Sequence, residues 1–344
     1  MIIDRGFEGL KELGTKNVAL DEIIGQAAEM QTKWKDDIIT GNTVFPLTMR
    51  EDATLEYVNH LGENVRLDMT DNAFAQVCNR VGVPANFARK CFDTGRGDLA
   101  GEIFRSFSKD LTDEPTVVRS RVYDGVTHAV LTSRYQPFDH PEILDGIHEA
   151  VGQDGRYEAN EAFLSPDRMH VRFVDFNNPL KVNGDTLFSG FTVGSSNIGT
   201  GAFAIKYFLY RFACRNGIVR VQNGGMLFRQ THLKDFLESP KDLFTKAIQQ
   251  MHVLDDLSTF QIGKAMDRKL SAEELSFYLD KAQRELRLGK AGREEVADLI
   301  GSSYDPTYYG FLNAVNDSSI VSKYTLDTRI ERETWVGDML NAKI

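Results

Sequence analysis

The sequence lacks the long apolar runs that would place it in a membrane. No run approaches the ~20 apolar residues that a membrane-spanning helix needs. The first residues, MIIDRGFEGLKELG, show no basic-then-apolar signal pattern, so we expect a cytoplasmic protein without a membrane partner. Cysteine is also scarce: Cys78, Cys91 and Cys214 are the only three, and none forms a C-x-x-C pair. This usage indicates reduced, structural thiols.

Short catalytic and metal-binding motifs are missing as well. The seven histidines show no H-E-x-x-H or other metal spacing, and no G-x-S-x-G motif occurs. The glycines between Gly194 and Gly201 have the spacing of a phosphate loop but lack its lysine, which argues against a nucleoside-triphosphate site of that kind. A plain glycine turn is the favoured interpretation, and a backbone nest that grips a phosphate is the alternative. We therefore expect no metal and no cofactor, and favour a non-enzymatic function.

Acidic residues are absent from one stretch of an otherwise acidic chain. The formal net charge is -10, yet residues 187–232 contain no Asp or Glu. Within this basic stretch, residues 202–214 are rich in aromatic and aliphatic side chains, which predicts a strand covered on both faces at the centre of a sheet. The stretch carries the cations Lys206, Arg211, Arg215, Arg220 and Arg229.

Aromatic residues alternate with these cations. That combination is typical of proteins that bind single-stranded nucleic acid, because cations follow the phosphates while aromatic rings stack on bases. The alternative is structural, with the rings in the core and the arginines paired with acids. The predicted contacts are Lys206, Tyr207, Tyr210, Arg211, Arg215, Arg220 and Arg229, then Arg119, Arg121 and Arg134 on a preceding hairpin, Ser195 and Asn197 in the glycine turn, and Arg168 and Arg172 as an extension.

Before residue 113 the sequence predicts mostly helices. Two short helices around Gly82 are compatible with a helix-turn-helix in which Arg80, Arg89 and Lys90 contact DNA, but a packed helical hairpin is the favoured interpretation. The predicted helices span residues 20–38, 70–80, 85–92 and 99–111.

After residue 115 the pattern changes to strands. Asp124-Gly125 is a strong hairpin signal, and Asp139 and Glu142 have the spacing of a capping box. Asp139 beside His140 could instead form a catalytic pair, although capping is the favoured interpretation. We predict a helix over 139–151 and strands at 116–123, 126–134, 169–176, 187–193, 202–214, 218–221 and 226–228, the last two paired with each other.

Strands in runs, with helices set apart, predict an α+β fold with a mostly antiparallel sheet. Its core has the order strand, strand, helix, strands. We expect an N-terminal mostly helical region over 1–112, an α+β core domain over 113–232, and an acidic C-terminal helical region over 233–344. The helices expected in that last region span 239–266, 271–286 and 292–300.

One block of this core resembles a known family. Residues 131–140, LTSRYQPFDH, resemble the SDRYRPLDH block of the phage- and plasmid-like family called domain of unknown function 932. The turn at 195–201, the block RFACRNG at 211–217 and NAVND at 313–317 are similar to later blocks of that family, in the same order. The turn has Asn197-Ile198 where the family has a His-Asp pair, so no role of that pair carries over.

The resemblance implies a mobile-element origin and a bacterial cytoplasmic location, without a defined activity. The order of strands and helix is also similar to phage single-strand annealing recombinases of the Red beta and RecT type, which assemble into rings or filaments on DNA. We therefore predict a single-stranded-DNA-binding or strand-annealing protein that acts as a homo-oligomer in recombination or replication. The alternatives are a protein-interaction module, such as an inhibitor of a host defence protein, and, less favoured, an enzyme acting on nucleotides.

Overall fold

The computed structural model describes residues 15–16, 19–41, 47–59, 61–109, 116–211, 216–219, 225–232, 239–318 and 326–341. Within these ranges the chain forms 10 helices and two mostly antiparallel sheets. The predicted α+β class, with helices before and after the core strands, is confirmed.

The first sheet, called the N-terminal sheet, combines strands from both sides of residue 113. Its strands are β2 (Trp34–Gly41), β3 (Leu47–Met49), β4 (Leu55–Val58), β5 (Asn64–Met69), β6 (Thr116–Tyr123) and β7 (Val126–Thr132). They lie in the order β2-β6-β7-β5-β4-β3, and only the β5–β7 pair among them is parallel. The boundary expected at 112/113 therefore falls within one sheet.

Three helices pack against this sheet. They are α2 (Asp71–Arg80), α3 (Ala85–Asp93) and α4 (Gly97–Lys109), close to their predicted positions. Phe74, Val77 and Phe104 join sheet residues in one buried cluster. The Phe74 ring meets Phe92 edge-on at 6.0 Å between centroids, so α2 and α3 form the packed helical hairpin.

The predicted helix over 20–38 is wrong in its second half. The chain forms α1 (Leu20–Gln31) and then enters β2. Ile38 and Trp34 fit helical spacing, but β2 pairs with the whole of β6, from Trp34 opposite Tyr123 to Gly41 opposite Thr116. The backbone bonds of that ladder outweigh a local helical pattern, since propensity is only a weak preference.

The second sheet, called the central sheet, contains most of the basic stretch. Its strands are β1 (Thr15–Lys16), β8 (Glu158–Leu164), β9 (Arg168–Val182), β10 (Asp185–Ser196), β11 (Phe203–Arg211), β12 (Asn216–Val219) and β13 (Met226–Gln230). The order is β1-β8-β9-β10-β11-β12, with β13 also on β11. β11 is buried on both faces, as predicted.

Two details of this sheet differ from the prediction. β12 and β13 do not pair with each other: β12 pairs with the second half of β11 and β13 with the first half. β8, with the sequence EANEAFL, was not predicted, because its two glutamates, two alanines and one asparagine carry little strand signal.

The remaining helices pack on the central sheet in one large core that includes Phe173, Phe191 and Phe244. The helices at 240–302 match their predicted positions closely, whereas the last two were not predicted. The helices are α5 (His140–Asp154), α6 (Pro240–Asp267), α7 (Ala272–Glu285), α8 (Lys290–Ser302), α9 (Tyr308–Asp317) and α10 (Leu326–Asn341).

Candidate functional site

The two sheets meet where the glycine turn after β10 docks against β6, β7 and α2. Arg121 Nη1 donates to the carbonyl of Asn197 at 2.8 Å, and Tyr135 Oη donates to the same carbonyl at 3.1 Å. Gln76 Nε2 donates to the carbonyl of Ile198 at 3.0 Å. We call this region, with Asp139, the inter-sheet junction. It brings together the hairpin, the LTSRYQPFDH block and the glycine turn, which are far apart in sequence.

Arg121 is the central cation of the inter-sheet junction. Its side chain is 1% exposed, Nε donates to Asp36 at 2.9 Å, and Nη2 lies 2.9 Å from Asp139 Oδ1. Its guanidinium also lies 4.8 Å from the centre of the Trp34 ring. Burial acts to lower the pKa of Arg121, but Asp139 and Asp36 more than offset this and raise it. The guanidinium is therefore held charged inside the protein by two carboxylates.

Asp139 does not cap α5, contrary to the prediction. It occupies the N-cap position, but its side chain makes no cap hydrogen bond. The carboxylate instead accepts from Gln31 Nε2 at 2.8 Å and pairs with Arg121. The carboxylate of Asp139 thus forms its charge-assisted pair with the buried guanidinium of Arg121 and not with the helix N-terminus.

Two buried histidines line the junction without carrying charge. His140 Nδ1 lies 3.4 Å from Asn197 Nδ2, and burial lowers the pKa of His140 to about 3. His232 stacks on Tyr135 at 5.2 Å between ring centres, and burial lowers its pKa as well. Within the described ranges, His140 Nε2 has no hydrogen-bond partner, so His140 and Asp139 do not form the hydrogen-bonded pair of a catalytic dyad.

Several backbone N–H groups of the glycine turn already have hydrogen-bond acceptors within the protein. Ser196 Oγ accepts from the N–H groups of Ile198 and Thr200, each at 3.3 Å, and Asn197 N–H donates to the Asp167 carbonyl at 2.9 Å. A side chain at Gly199, where φ is +74°, would place its Cβ 2.7 Å from Leu131. These contacts favour the plain glycine turn over a phosphate nest, which would need those N–H groups free.

Six predicted contact residues are buried, which corrects the predicted surface; one of them, Arg172, is described with the ion pairs below. Tyr207 is 0% exposed and its hydroxyl donates to Asp255 at 2.8 Å. Such a ring has no face available for a base. The buried residues are Tyr207, Tyr210, Arg121, Arg172, Ser195 and Asn197.

Other predicted contacts form ion pairs within the protein, and they are partly exposed except for Arg172, which is buried. Arg211 Nε lies 2.6 Å from Asp185, and Arg119 Nη1 lies 2.9 Å from Asp36. Arg172 is buried between Glu161 and Glu333, the latter on α10. Sequence reasoning missed these partners because most lie far along the chain. Lys206 is half-buried on β11, and Arg215 and Arg220 lie outside the described residues.

Three arginines beside the inter-sheet junction remain exposed. Arg134 directly precedes Tyr135, and Arg229 lies on the strand that leads to His232. Arg168 begins β9 opposite Ser196 of the glycine turn. The side chains of Arg134 and Arg229 make no ion pair or hydrogen bond in the part of the chain that the structure describes. We call Arg134, Arg168 and Arg229 the basic rim.

The helical hairpin offers a different set of cations. Arg89 pairs with Asp71 at 2.8 Å, and Lys90 is exposed. Arg80 is half-buried at the end of α2 and faces a cleft beside the junction.

No group of three His, Cys, Asp or Glu side chains within the described ranges is arranged to hold a metal ion. None of the described helices is both long and apolar enough to cross a membrane. No family model, curated protein or solved structure matches the chain, so its resemblance to domain of unknown function 932 stays a prediction.

Proposed function

We propose that this protein binds single-stranded nucleic acid through the basic rim. It is encoded by a mobile element and acts in the bacterial cytoplasm. The observation that carries the proposal is the exposure of Arg134 and Arg229, without acidic partners among the described residues, beside the exposed Arg168. Arg229 belongs to the acid-free stretch, so no carboxylate within that stretch competes with a phosphate for it.

The kind of recognition follows from the side chains that reach the surface. The tyrosines expected to stack on bases, Tyr207 and Tyr210, are buried, whereas the rim consists of arginines. Arginine contacts to phosphates carry no sequence information, and each neutralised phosphate releases counterions. Binding at the rim is therefore tolerant of sequence and weakens as salt rises.

The test is fluorescence anisotropy of a labelled single strand of about 40 nucleotides, long enough for several contacts. Charge reversal of both unpaired arginines, Arg134→Glu with Arg229→Glu, is expected to weaken binding at low salt roughly tenfold or more. The matched control is Arg105→Glu with Arg284→Glu, two exposed arginines on α4 and α7. Equal loss in both double variants, or no binding by the unaltered protein, would contradict the proposal.

Self-association is the second part of the proposal, and α6 supports it. Val253, Leu257 and Phe260 on one face of this helix are 64%, 44% and 62% exposed. Monomeric proteins rarely expose clustered apolar side chains of this size without a use. Strand annealing requires two strands to meet, so a second copy of this chain is the occupant that fits the proposed function.

The charges beside this apolar face fit a second copy. In an antiparallel pair of α6 helices related by a twofold axis between Asp256 and Leu257, Val253 faces Phe260 of the partner, and Lys246 faces Asp267. Lys246 and Asp267 are both exposed and lie on the same face as the apolar residues. The pairing places opposite charges at both ends of the apolar contact.

Mass photometry and sedimentation velocity test this part. We expect a concentration-dependent dimer that Leu257→Lys with Phe260→Lys abolishes, while Leu61→Lys, at an exposed position between β4 and β5, leaves it intact. A monomer at all concentrations would contradict self-association through α6 and would direct attention to a host protein as the partner.

A further inference from the structure

A cleft of about 390 Å³ lies beside the inter-sheet junction and shares Gln76 and Tyr135 with it. Its walls come from α2, from β7 and from the glycine turn, with Tyr135 at one side. The volume falls in the range of small-molecule sites. The residues that line it are Gln76, Asn79, Arg80, Val130, Leu131, Thr132, Tyr135 and Gly199.

Arg80 is the only charged side chain among those lining residues. Burial lowers its pKa, and no carboxylate in the described part of the chain offsets that effect. Its side chain makes no hydrogen bond or ion pair within the described residues, in contrast to Arg121, which lies between two carboxylates. When a cation is partly removed from water and has no partner, binding of an anion stabilises it.

The neutral groups around Arg80 divide into fixed and available ones. Gln76 is fixed, since its amide donates to the Ile198 carbonyl and its oxygen accepts from the Val130 N–H at 2.7 Å. The side chains of Asn79 and Thr132 make no hydrogen bonds within the described ranges. The cleft thus offers one guanidinium and two uncommitted polar groups, next to apolar surface from Leu131.

We infer that this cleft binds a phosphomonoester that carries an organic group, of the size of a nucleoside monophosphate. The Arg80 fork matches the oxygens of a phosphate, and Asn79 and Thr132 supply neutral donors beside it. The cleft is larger than a lone anion requires, and its apolar wall suits the attached group. The inference does not depend on strand binding at the basic rim, because none of the three rim arginines lines the cleft.

The phosphomonoester has two possible sources, a free nucleotide or the phosphorylated end of a strand. Isothermal titration calorimetry of the full chain with dAMP, inorganic phosphate, acetate and deoxyadenosine tests the chemistry. We expect saturable binding of dAMP, at least tenfold weaker binding of inorganic phosphate, and none of deoxyadenosine or acetate. Arg80→Met should abolish dAMP binding, Thr132→Val should weaken it a few-fold, and Arg105→Met should leave it unchanged.

Anisotropy with two 12-nucleotide strands, with and without a 5′ phosphate, separates the two sources. Tighter binding of the phosphorylated strand, lost in Arg80→Met, would assign the site to strand ends, and equal binding of both strands would assign it to free nucleotides. No saturable dAMP binding, or unchanged binding in folded Arg80→Met, would overturn the inference. Affinity of Arg80→Met for the unphosphorylated strand reports on the basic rim alone, so the two proposals fail separately.

Discussion

Arg121 and Arg134 lie on the same hairpin and its following turn, yet they belong to opposite environments. Arg121 is buried in the inter-sheet junction and contacts Asp36 and Asp139, while Arg134 is exposed on the basic rim with no partner in the described part of the chain. The first arginine is bound to carboxylates of its own chain. The second remains available to an outside anion.

The comparison teaches that residue type and local sequence do not decide which cation serves folding. An arginine is neutralised within the fold when a carboxylate from another helix or strand lies close enough to pair with it. Asp36 comes from β2, 85 residues before Arg121 along the chain. The predictions below test this division from the largest expected effect to the smallest.

Removing the junction cation should have the largest effect. Arg121→Ala leaves Asp139 without its guanidinium and leaves Asp36 with Arg119 alone, and breaking a buried pair in this way costs about 3 to 5 kcal/mol. The free energy of unfolding from urea denaturation measures it. Arg134→Ala, the matched change on the rim, should cost less than about 0.5 kcal/mol. Similar decreases in the free energy of unfolding in both variants would contradict the claim that only the junction arginine stabilises the fold.

The buried histidine should make stability depend on pH. Burial lowers the pKa of His140 to about 3 in the folded protein. As the pH falls below about 6.5, this histidine is therefore protonated in the unfolded chain but stays neutral in the folded protein. The contribution of neutral His140 to the free energy of unfolding is complete above pH 6.5 and is lost as the pH falls toward 3. Between pH 7 and 5 it amounts to about 2 kcal/mol. Urea unfolding of His140→Gln should show a shallower pH dependence than the unaltered protein; identical slopes would show that His140 does not titrate in this way.

Tyr207 tests the assignment of the basic stretch to the core. Tyr207→Phe removes the hydroxyl that donates to Asp255, whose pKa is raised by burial, and should cost about 1 to 2 kcal/mol. Because the ring is buried, affinity for a single strand should not change. Weaker strand binding by a folded Tyr207→Phe variant would show that Tyr207 contacts the nucleic acid and would contradict its assignment to the core.

The smallest effect on stability is expected at the cleft. Arg80→Met replaces an unpaired, half-buried cation by an apolar chain of similar length, so stability should change by less than about 0.5 kcal/mol or rise slightly. Thermal and urea unfolding measure the change. A loss as large as that of Arg121→Ala would mean that Arg80 has a structural partner.

Local signals in the sequence were enough for much of the fold. Asp124-Gly125 predicted the hairpin, and both residues have the positive φ angles that its tight turn requires, 49° and 80°. The apolar run at 202–214 predicted a strand buried on both faces, and β11 is that strand. These features depend on neighbouring residues, which a sequence displays directly.

The candidate site could be predicted only in part, because its contacts are long-range. The LTSRYQPFDH block and the glycine turn were singled out separately, but their meeting at the inter-sheet junction depends on how two sheets dock. The partners of Arg121 and Arg211 come from other elements, so the sequence could not show which arginines are neutralised. The same limit explains why Asp139 was predicted to cap a helix.

The most direct test of the basic rim is the salt dependence of strand binding, measured as the slope of log K against log salt concentration. For single strands each neutralised phosphate contributes a slope of about -0.7. Arg134→Ala with Arg229→Ala should therefore make the slope shallower by about 1.4 while the fold persists. An unchanged slope in the folded double variant would contradict the claim that these unpaired arginines bind nucleic acid.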